Sequence, residues 1–239
     1  MPKLSLVVFD FDLTLTTYHV FRSLSQFSNH GVAALLVPPP HARTEKGQLL
    51  RLMDLDAGFA LEAFGGHERV ATLRHMLESM LTASIECVIC TWGYVGPARW
   101  LLEKVGLLKY FSDVFGMVGS FYGCSDYDVL VKRHPVDLDS CFLGKLENAG
   151  WGSKRKLVLN CMQRRGLKGV NVVFVDDCLQ EVLSLRDVCM TLQVRRNTGM
   201  GKKEMTALLS MVPDPLTKQE TDYLSSSRDG LSTPNTARG

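Results

Sequence analysis

The sequence lacks several features that would mark a specialised class of protein. It has almost no net charge, because 27 lysines and arginines are balanced by 25 aspartates and glutamates. This balance gives no electrostatic reason to expect a nucleic acid or a membrane surface as a partner. No apolar run approaches the roughly 20 residues that are needed to span a bilayer. Acids interrupt the apolar start of the chain (MPKLSLVVFDFD), so we expect no secretory signal and a cytoplasmic protein.

The cysteines do not form the pattern of a disulfide framework. There are seven of them in 239 residues, an odd number, which is typical of a reducing compartment. Cys87 and Cys90 form a C-x-x-C, but they lie in an apolar run, ECVIC, that predicts a strand. Successive strand residues alternate between the two faces, so these side chains would point in opposite directions. We therefore interpret them as two buried thiols and not as a redox or zinc pair.

Short apolar runs, most of them rich in valine, predict strands that are covered on both faces. These runs are Leu4–Phe9, Cys87–Cys90, Val114–Val118, Val172–Val175 and Val188–Val194. Helical patterns lie between them, including one that begins after Ser153 and ends at Gly166. Strands that alternate with helices predict an α/β fold, with a doubly wound parallel sheet and helices on both faces.

We expect one core domain over residues 1–212 with two insertions. Residues 17–66 and 119–152 do not follow the alternation of strands and helices, and we predict a small cap from the first of them. Residues 213–239 are rich in Ser, Thr, Pro and charge. Such a segment cannot bury enough apolar surface to offset its ordering entropy, so we predict a disordered tail.

Two pairs of acids stand where predicted strands end. Asp10 and Asp12 follow the first strand, and Asp176 and Asp177 follow the fourth. Ligands of open parallel sheets bind outside the carboxyl ends of the strands, so the four carboxylates are expected to share one crevice. Two like charges about 4 Å apart cost roughly 4 kcal/mol at an effective dielectric near 20, so the group needs a cation or protons. Ligands that are all oxygen favour Mg²⁺ over zinc.

The helix that follows Ser153 begins with charges that are unfavourable at a helix start. Its first turn, Lys154–Lys156, is entirely basic, and cations there oppose the helix dipole. A broken local rule often marks a functional site, and a helix start with lysines is suited to hold an anion. The apolar residues Leu157, Val158, Cys161 and Met162 form the predicted buried stripe of this helix. Lys154 lies three residues before Leu157 and shares its face, whereas Lys156 points about 100° away from Leu157. We therefore favour Lys154 over Lys156.

A threonine, Thr91, ends the second predicted strand, where its hydroxyl and nearby backbone N–H groups are suited to hold a phosphate. In chain order, these motifs resemble the haloacid dehalogenase (HAD) superfamily of phosphohydrolases. The matching pieces are D-x-D-x-T at residues 10–14, then Thr91, then Lys154 or Lys156, and then the acid pair at residues 176–177. The resemblance spans about residues 4–194, without the insertions.

The resemblance implies a Rossmann-like core and a Mg²⁺-dependent phosphatase that acts through an aspartyl-phosphate. In that family pattern Asp10 is the nucleophile, and Asp12 is the general acid and base. Thr91, the backbone N–H of Trp92 and the lysine hold the phosphate. The fourth motif supplies the metal acids.

The metal site implied by the resemblance therefore consists of Asp10, Asp12 through its backbone carbonyl, Asp177 and Asp176. Glu181 occupies an additional acidic position of the family, and an exposed helical glutamate is an equally good interpretation. Trp92 and Tyr18 are candidates for the entrance, and core packing is the alternative for both.

Alternatives of other classes remain beside this prediction. A bacterial receiver domain fails because its acid pair comes first, and the absence of G-x-x-x-x-G-K-[ST] argues against a P-loop hydrolase. A non-catalytic phosphate-binding scaffold is expected to have lost Asp10 or Asp12, and both are present. A phosphotransferase or mutase stays open. So do the choice between a small phosphometabolite and a phosphoprotein as substrate, and that between monomer and dimer.

Overall fold

Five parallel strands form the frame of the protein, for which a computed structural model describes residues 3–25, 37–119, 142–195 and 198–213. The strands are β1 Leu6–Phe9, β2 Glu86–Tyr94, β3 Asp113–Met117, β4 Val172–Asp176 and β5 Met190–Gln193. Their order in the sheet is β3-β2-β1-β4-β5, with every neighbouring pair parallel. This arrangement confirms the predicted α/β fold. β1 lies between β2 and β4. The strand order reverses at β1, and folds of this type bind ligands at such a reversal, outside the carboxyl ends of the strands.

Helices cover both faces of this sheet. They are α1 Val20–Ser25, α2 Glu45–Ala63, α3 His67–Thr82, α4 Val95–Lys104, α5 Lys154–Arg165, α6 Leu179–Leu185 and α7 Lys202–Leu209. Val7 and Phe9 of β1 belong to one apolar cluster together with residues of α3, α4 and α7. Leu6 and Val8 belong to a second cluster together with residues of α5 and α6. The alternation along β1 therefore divides the core into two layers, as the period of a strand requires.

The two cysteines of the C-x-x-C motif lie in these two different layers. Cys87 packs in the first cluster and Cys90 in the second, and both are buried. Burial raises the pKa of the Cys87 thiol to about 12, so this thiol stays protonated at neutral pH. The prediction of two buried thiols that point in opposite directions is confirmed.

Helix α5 has the ends that its sequence predicts. Ser153 is the N-cap, and its hydroxyl accepts a hydrogen bond from the backbone N–H of Lys156 at 3.2 Å. At the other end Gly166 adopts a left-handed conformation with φ of 61°, which glycine tolerates best. The helix packs Leu157, Val158 and Cys161 against the sheet. This packing fixes the direction in which its first turn points.

The described part of the 17–66 segment contains α1 and α2, and α2 packs against α4. Residues 26–36 of that segment, residues 120–141 of the second predicted insertion and the tail from residue 214 lie outside the described residues. Within the described ranges, none of the helices combines the length and the apolar character that crossing a bilayer requires.

Candidate active site

Three carboxylates and one ammonium group meet at the carboxyl ends of β1 and β4. Asp10 extends the ladder of β1, because its backbone N–H donates to the carbonyl of Val175 at 2.8 Å. One oxygen from each of Asp10, Asp176 and Asp177 lies within 4.8 Å of the others. Lys154 Nζ donates to Asp10 Oδ1 at 2.6 Å and to Asp176 Oδ2 at 2.7 Å. Lys154 is only 2% exposed, so this charge is held inside the protein.

The charges of this group do not balance when all three acids are ionised. Burial and the neighbouring charge of Asp10 raise the pKa of Asp176 to about 7 and that of Asp177 to about 6. Burial also raises the pKa of Asp10. For Lys154, burial lowers the pKa, but the charges of Asp10 and Asp176 outweigh it and raise the pKa well above its usual value. One lysine facing three acids leaves two negative charges, which a divalent cation would neutralise.

The donor set fits the magnesium ion that the sequence predicts. The three acids offer carboxylate oxygens only, and hard divalent cations prefer oxygen ligands. A hydrogen bond also fixes the orientation of the Asp176 carboxylate, because its Oδ1 accepts from the backbone N–H of Cys178 at 2.7 Å. Such supporting hydrogen bonds orient the ligands of metal sites.

Asp12 lies at the same strand end, but its carboxylate is directed elsewhere. Its Oδ1 accepts a hydrogen bond from the backbone N–H of Val20, at the start of α1, at 2.7 Å. Its Oδ2 lies 3.1 Å from His19 Nδ1. The side chain is therefore outside the group formed by Asp10, Asp176 and Asp177. The metal role that the resemblance implies for Asp12 is that of its backbone carbonyl.

Thr91 and Trp92 lie in β2, next to β1. The Thr91 side chain is buried, and its hydroxyl accepts a hydrogen bond from the backbone N–H of Gly93 at 2.9 Å. Trp92 is 47% exposed, so core packing does not account for it. Its indole Nε1 donates to Glu181 Oε1 at 3.0 Å. Glu181 is thus engaged with Trp92 and is not part of the acidic group.

Lys156, Thr14 and Tyr18 lie outside the acidic group. Lys156 is exposed one residue before the buried stripe of α5, so the structure brings Lys154 and not Lys156 to the acids. Thr14 is buried in the turn after β1, where its backbone carbonyl accepts a hydrogen bond from Met200 at 2.8 Å. Tyr18 is half-buried beyond that turn.

Several solved structures match most of this chain at low sequence identity. A haloacid dehalogenase-like family hydrolase from Streptococcus pneumoniae matches at 16% identity and a TM-score of 0.42, over 92% of this chain and 99% of that one. A predicted phosphatase from Clostridium acetobutylicum matches at 14% identity and a TM-score of 0.43, over 93% and 99%. The N-terminal part of a Bacteroides fragilis protein, which contains a phosphatase domain complexed with Mg, matches at 11% identity and a TM-score of 0.48, over 89% of this chain and 41% of that one.

No protein-family model matches the chain, and no curated protein matches it.

Sequence reasoning missed two charged residues that join distant segments of the fold. The Arg69 guanidinium donates to the carbonyls of Leu15 at 2.6 Å and Phe64 at 2.9 Å, and it also reaches the carbonyls of Thr14 and Met200. It thereby ties the turn after β1 to two distant segments. Burial lowers the pKa of Arg69 to about 10. No local pattern distinguishes this arginine from an ordinary helical surface residue.

The second missed residue is Glu45, in the first turn of α2. Its carboxylate accepts hydrogen bonds from the backbone N–H groups of Gly96, Gly119 and Gly144 at 2.7, 2.8 and 2.9 Å. The sequence shows only a glutamate after the N-cap Thr44, which is a common arrangement at a helix start.

Proposed function

We propose that this protein is a Mg²⁺-dependent phosphomonoester hydrolase that acts through an aspartyl-phosphate on Asp10. The observation that carries the proposal is the contact of Lys154 Nζ with Asp10 and Asp176 beside Asp177. The proposal is supported by a carboxylate, a buried cation and two further acids with oxygen ligands that suit a metal ion, all at the carboxyl ends of β1 and β4. Such a combination suits the transfer of a phosphoryl group, whose oxygens need positive charge on several sides.

In the first half of the reaction, a carboxylate oxygen of Asp10 attacks the phosphorus atom. The bond between Asp10 and phosphorus forms, and the bond between phosphorus and the ester oxygen breaks. The leaving oxygen takes a proton from the Asp12 carboxyl group, which acts as the general acid. The product alcohol departs and Asp10 carries the phosphoryl group.

In the second half, the Asp12 carboxylate takes a proton from a water molecule, whose oxygen attacks the same phosphorus. The bond between phosphorus and Asp10 breaks, inorganic phosphate leaves, and both aspartates return to their starting state. The hydrogen bond from the backbone N–H of Val20 fixes one oxygen of the Asp12 carboxylate.

In the proposed reaction, three groups of the chain hold the phosphate oxygens. They are the Thr91 hydroxyl, the backbone N–H of Trp92 and the Lys154 ammonium. Donors that are fixed before the reaction stabilise the charge of the transition state without further reorganisation. Asp10, Asp177 and the backbone carbonyl of Asp12, with Asp176 beside them, would hold the Mg²⁺ ion. When bound, this ion would neutralise negative charge on the transferring group.

The test is hydrolysis of p-nitrophenyl phosphate with and without Mg²⁺ by wild-type protein and by Asp10→Asn. We expect the variant to lose about 10³-fold or more of the turnover, as happens when a catalytic nucleophile is removed. Asp187→Asn is the matched control, because Asp187 is an exposed aspartate whose salt bridge with Arg155 at 2.5 Å lies on the surface. Purified Asp10→Asn protein with turnover near that of the wild type would rule out this nucleophile.

A second measurement addresses the intermediate. Acid quenching during turnover of a ³²P-labelled substrate should trap label on the wild-type protein, and hydroxylamine should release it, as an acyl phosphate requires. Asp10→Asn should carry no such label. Label that persists in this variant would place the phosphoryl group on another residue.

A further inference from the structure

The Trp92 side chain is a part of the site that the proposed reaction does not use. The reaction needs only its backbone N–H, yet the indole ring stands beside Thr91 and is 47% exposed. A large apolar ring beside a phosphate-holding group lies within reach of whatever the phosphate is attached to. Its exposed part is available to contact a bound molecule.

The ring is held in place by two contacts. Its Nε1 donates to Glu181 Oε1 at 3.0 Å, and the ring of Trp151 packs against it with centroids 4.7 Å apart and planes tilted by 43°. Trp151 is itself buried, and its Nε1 donates to the carbonyl of Asn148 at 3.3 Å. A side chain that is already fixed loses little conformational entropy when it contacts a ligand.

The topology places this ring at the sheet edge that carries Asp10. Trp92 belongs to β2 and Glu181 to α6, the helix that follows β4. Because β1 lies between β2 and β4, the hydrogen bond from Trp92 to Glu181 passes over the end of β1, where Asp10 stands. The ring therefore lies at the same edge of the sheet as the carboxylate that is proposed to receive the phosphoryl group.

We propose that Trp92 forms a stacking subsite for a planar aromatic ring in the leaving group of a phosphate monoester. The inference rests on the proposed function and names its substrate class. Aromatic rings gain stacking energy from an indole beyond the gain from buried area, and an aliphatic group of the same size does not. The subsite therefore distinguishes aromatic from aliphatic esters of the same chemistry.

The experiment compares benzyl phosphate with cyclohexylmethyl phosphate. Both are esters of primary alcohols, so the chemical step differs little and the ring decides the preference. We expect kcat/KM of the wild type to favour the benzyl ester by about 2- to 10-fold, which is the size of one aromatic pair. The preference should lie mainly in KM, because stacking acts on substrate and transition state alike.

Two variants assign the preference to the ring. Trp92→Leu keeps the backbone N–H and should bring the ratio of the two esters to about 1, whereas Trp92→Phe should keep part of the preference. Leu159→Ala is the control, because Leu159 is a 42% exposed apolar side chain on α5 and should leave the ratio unchanged. A wild-type preference that Trp92→Leu preserves overturns the subsite.

A second pair, adenosine 5′-monophosphate against ribose 5-phosphate, distinguishes the possible sources of the ring. A preference in this pair alone indicates a nucleobase beyond a sugar, and a preference in the benzyl pair alone indicates a ring next to the ester. Either result supports the subsite. No preference in either pair overturns it.

Failure of the subsite and failure of the proposed function give different results. Hydrolysis of both members of each pair at equal efficiency overturns the subsite and leaves the phosphatase in place. No hydrolysis of any of the four esters with Mg²⁺ present overturns the proposed function and the subsite with it. Inhibition by benzylphosphonate and cyclohexylmethylphosphonate, which cannot be hydrolysed, should follow the same ratio.

Discussion

Replacing Glu45 with alanine is expected to destabilise the whole fold, although this residue performs no chemistry. Glu45 is 2% exposed, and Oε1 accepts from the backbone N–H groups of Gly96 and Gly144, while Oε2 accepts from that of Gly119. One carboxylate therefore joins the start of α2 to the start of α4 and to the segments that contain Gly119 and Gly144. Its removal leaves three backbone donors without that acceptor.

The magnitude follows from these three contacts. A buried donor that loses its acceptor costs about 1–3 kcal/mol, so three of them cost at least about 3 kcal/mol. For a protein of this size the Tm then falls by roughly 6–12 °C. Glu45→Gln keeps an oxygen for two of the three donors and turns its NH₂ group towards the third. Its loss should therefore be smaller than that of the alanine variant.

The assay is urea unfolding followed by circular dichroism, with Glu62→Ala as the matched control. Glu62 is an exposed glutamate in the last turn of the same helix, so its removal should change stability by no more than about 0.5 kcal/mol. A Glu45→Ala protein within about 1 kcal/mol of the wild type would show that water or other groups satisfy these donors. The proposed contribution of Glu45 to stability would then be wrong.

The pH dependence of stability gives a second readout for Glu45. Burial raises the pKa of this carboxyl group above its ordinary value. Between the ordinary and the raised pKa, the unfolded chain has released the proton and the folded protein still holds it. The free energy of unfolding therefore falls as the pH rises through this window. Glu45→Gln should remove that part of the slope, and an unchanged slope would assign it to other groups.

Three further predictions concern the site. Lys154→Met should lower turnover at least about 100-fold and Lys156→Met only a few-fold; the opposite ranking in folded variants would move the role to Lys156. Asp12→Ala should slow turnover about 10²–10⁴-fold while calorimetry still detects Mg²⁺ binding; a loss of affinity as large as in Asp177→Ala would make the Asp12 side chain a ligand. Mg²⁺ at 100 times its Kd should add about 2.7 kcal/mol to the free energy of unfolding, and Asp177→Asn should lose most of this gain; equal gains in both proteins would place the ion elsewhere.

The strands could be predicted because most of them are valine-rich runs buried on both faces. Such runs have no polar alternation and are too short for helices, so their type is clear. Their ends were less accurate. β2 runs from Glu86 to Tyr94, well past the predicted run, because Tyr94 still pairs with Met117 of β3. A threonine and a glycine within that stretch suggested that the strand had already ended.

The supporting contacts could not be predicted, because they join segments that are far apart in the chain. Glu45 and Gly144 are 99 residues apart, and Arg69 and Met200 are 131 apart. No local pattern carries information on such pairs. Only the packing of α2 and α3 against the rest of the chain brings them together, and the partners are backbone groups that every residue possesses.

Lys154 could be predicted because its sequence position conflicts with local preference. A cation in the first turn of a helix opposes the helix dipole by about 0.3–1 kcal/mol, and a buried cation costs far more unless it is paired. The structure supplies the compensation, since the ammonium group meets two carboxylates at 2.6 and 2.7 Å. Glu181 shows the limit of this reasoning. A half-buried glutamate in the first turn of α6 satisfies the dipole preference, so nothing in the sequence distinguishes an acid that faces a metal from one that accepts a hydrogen bond from Trp92.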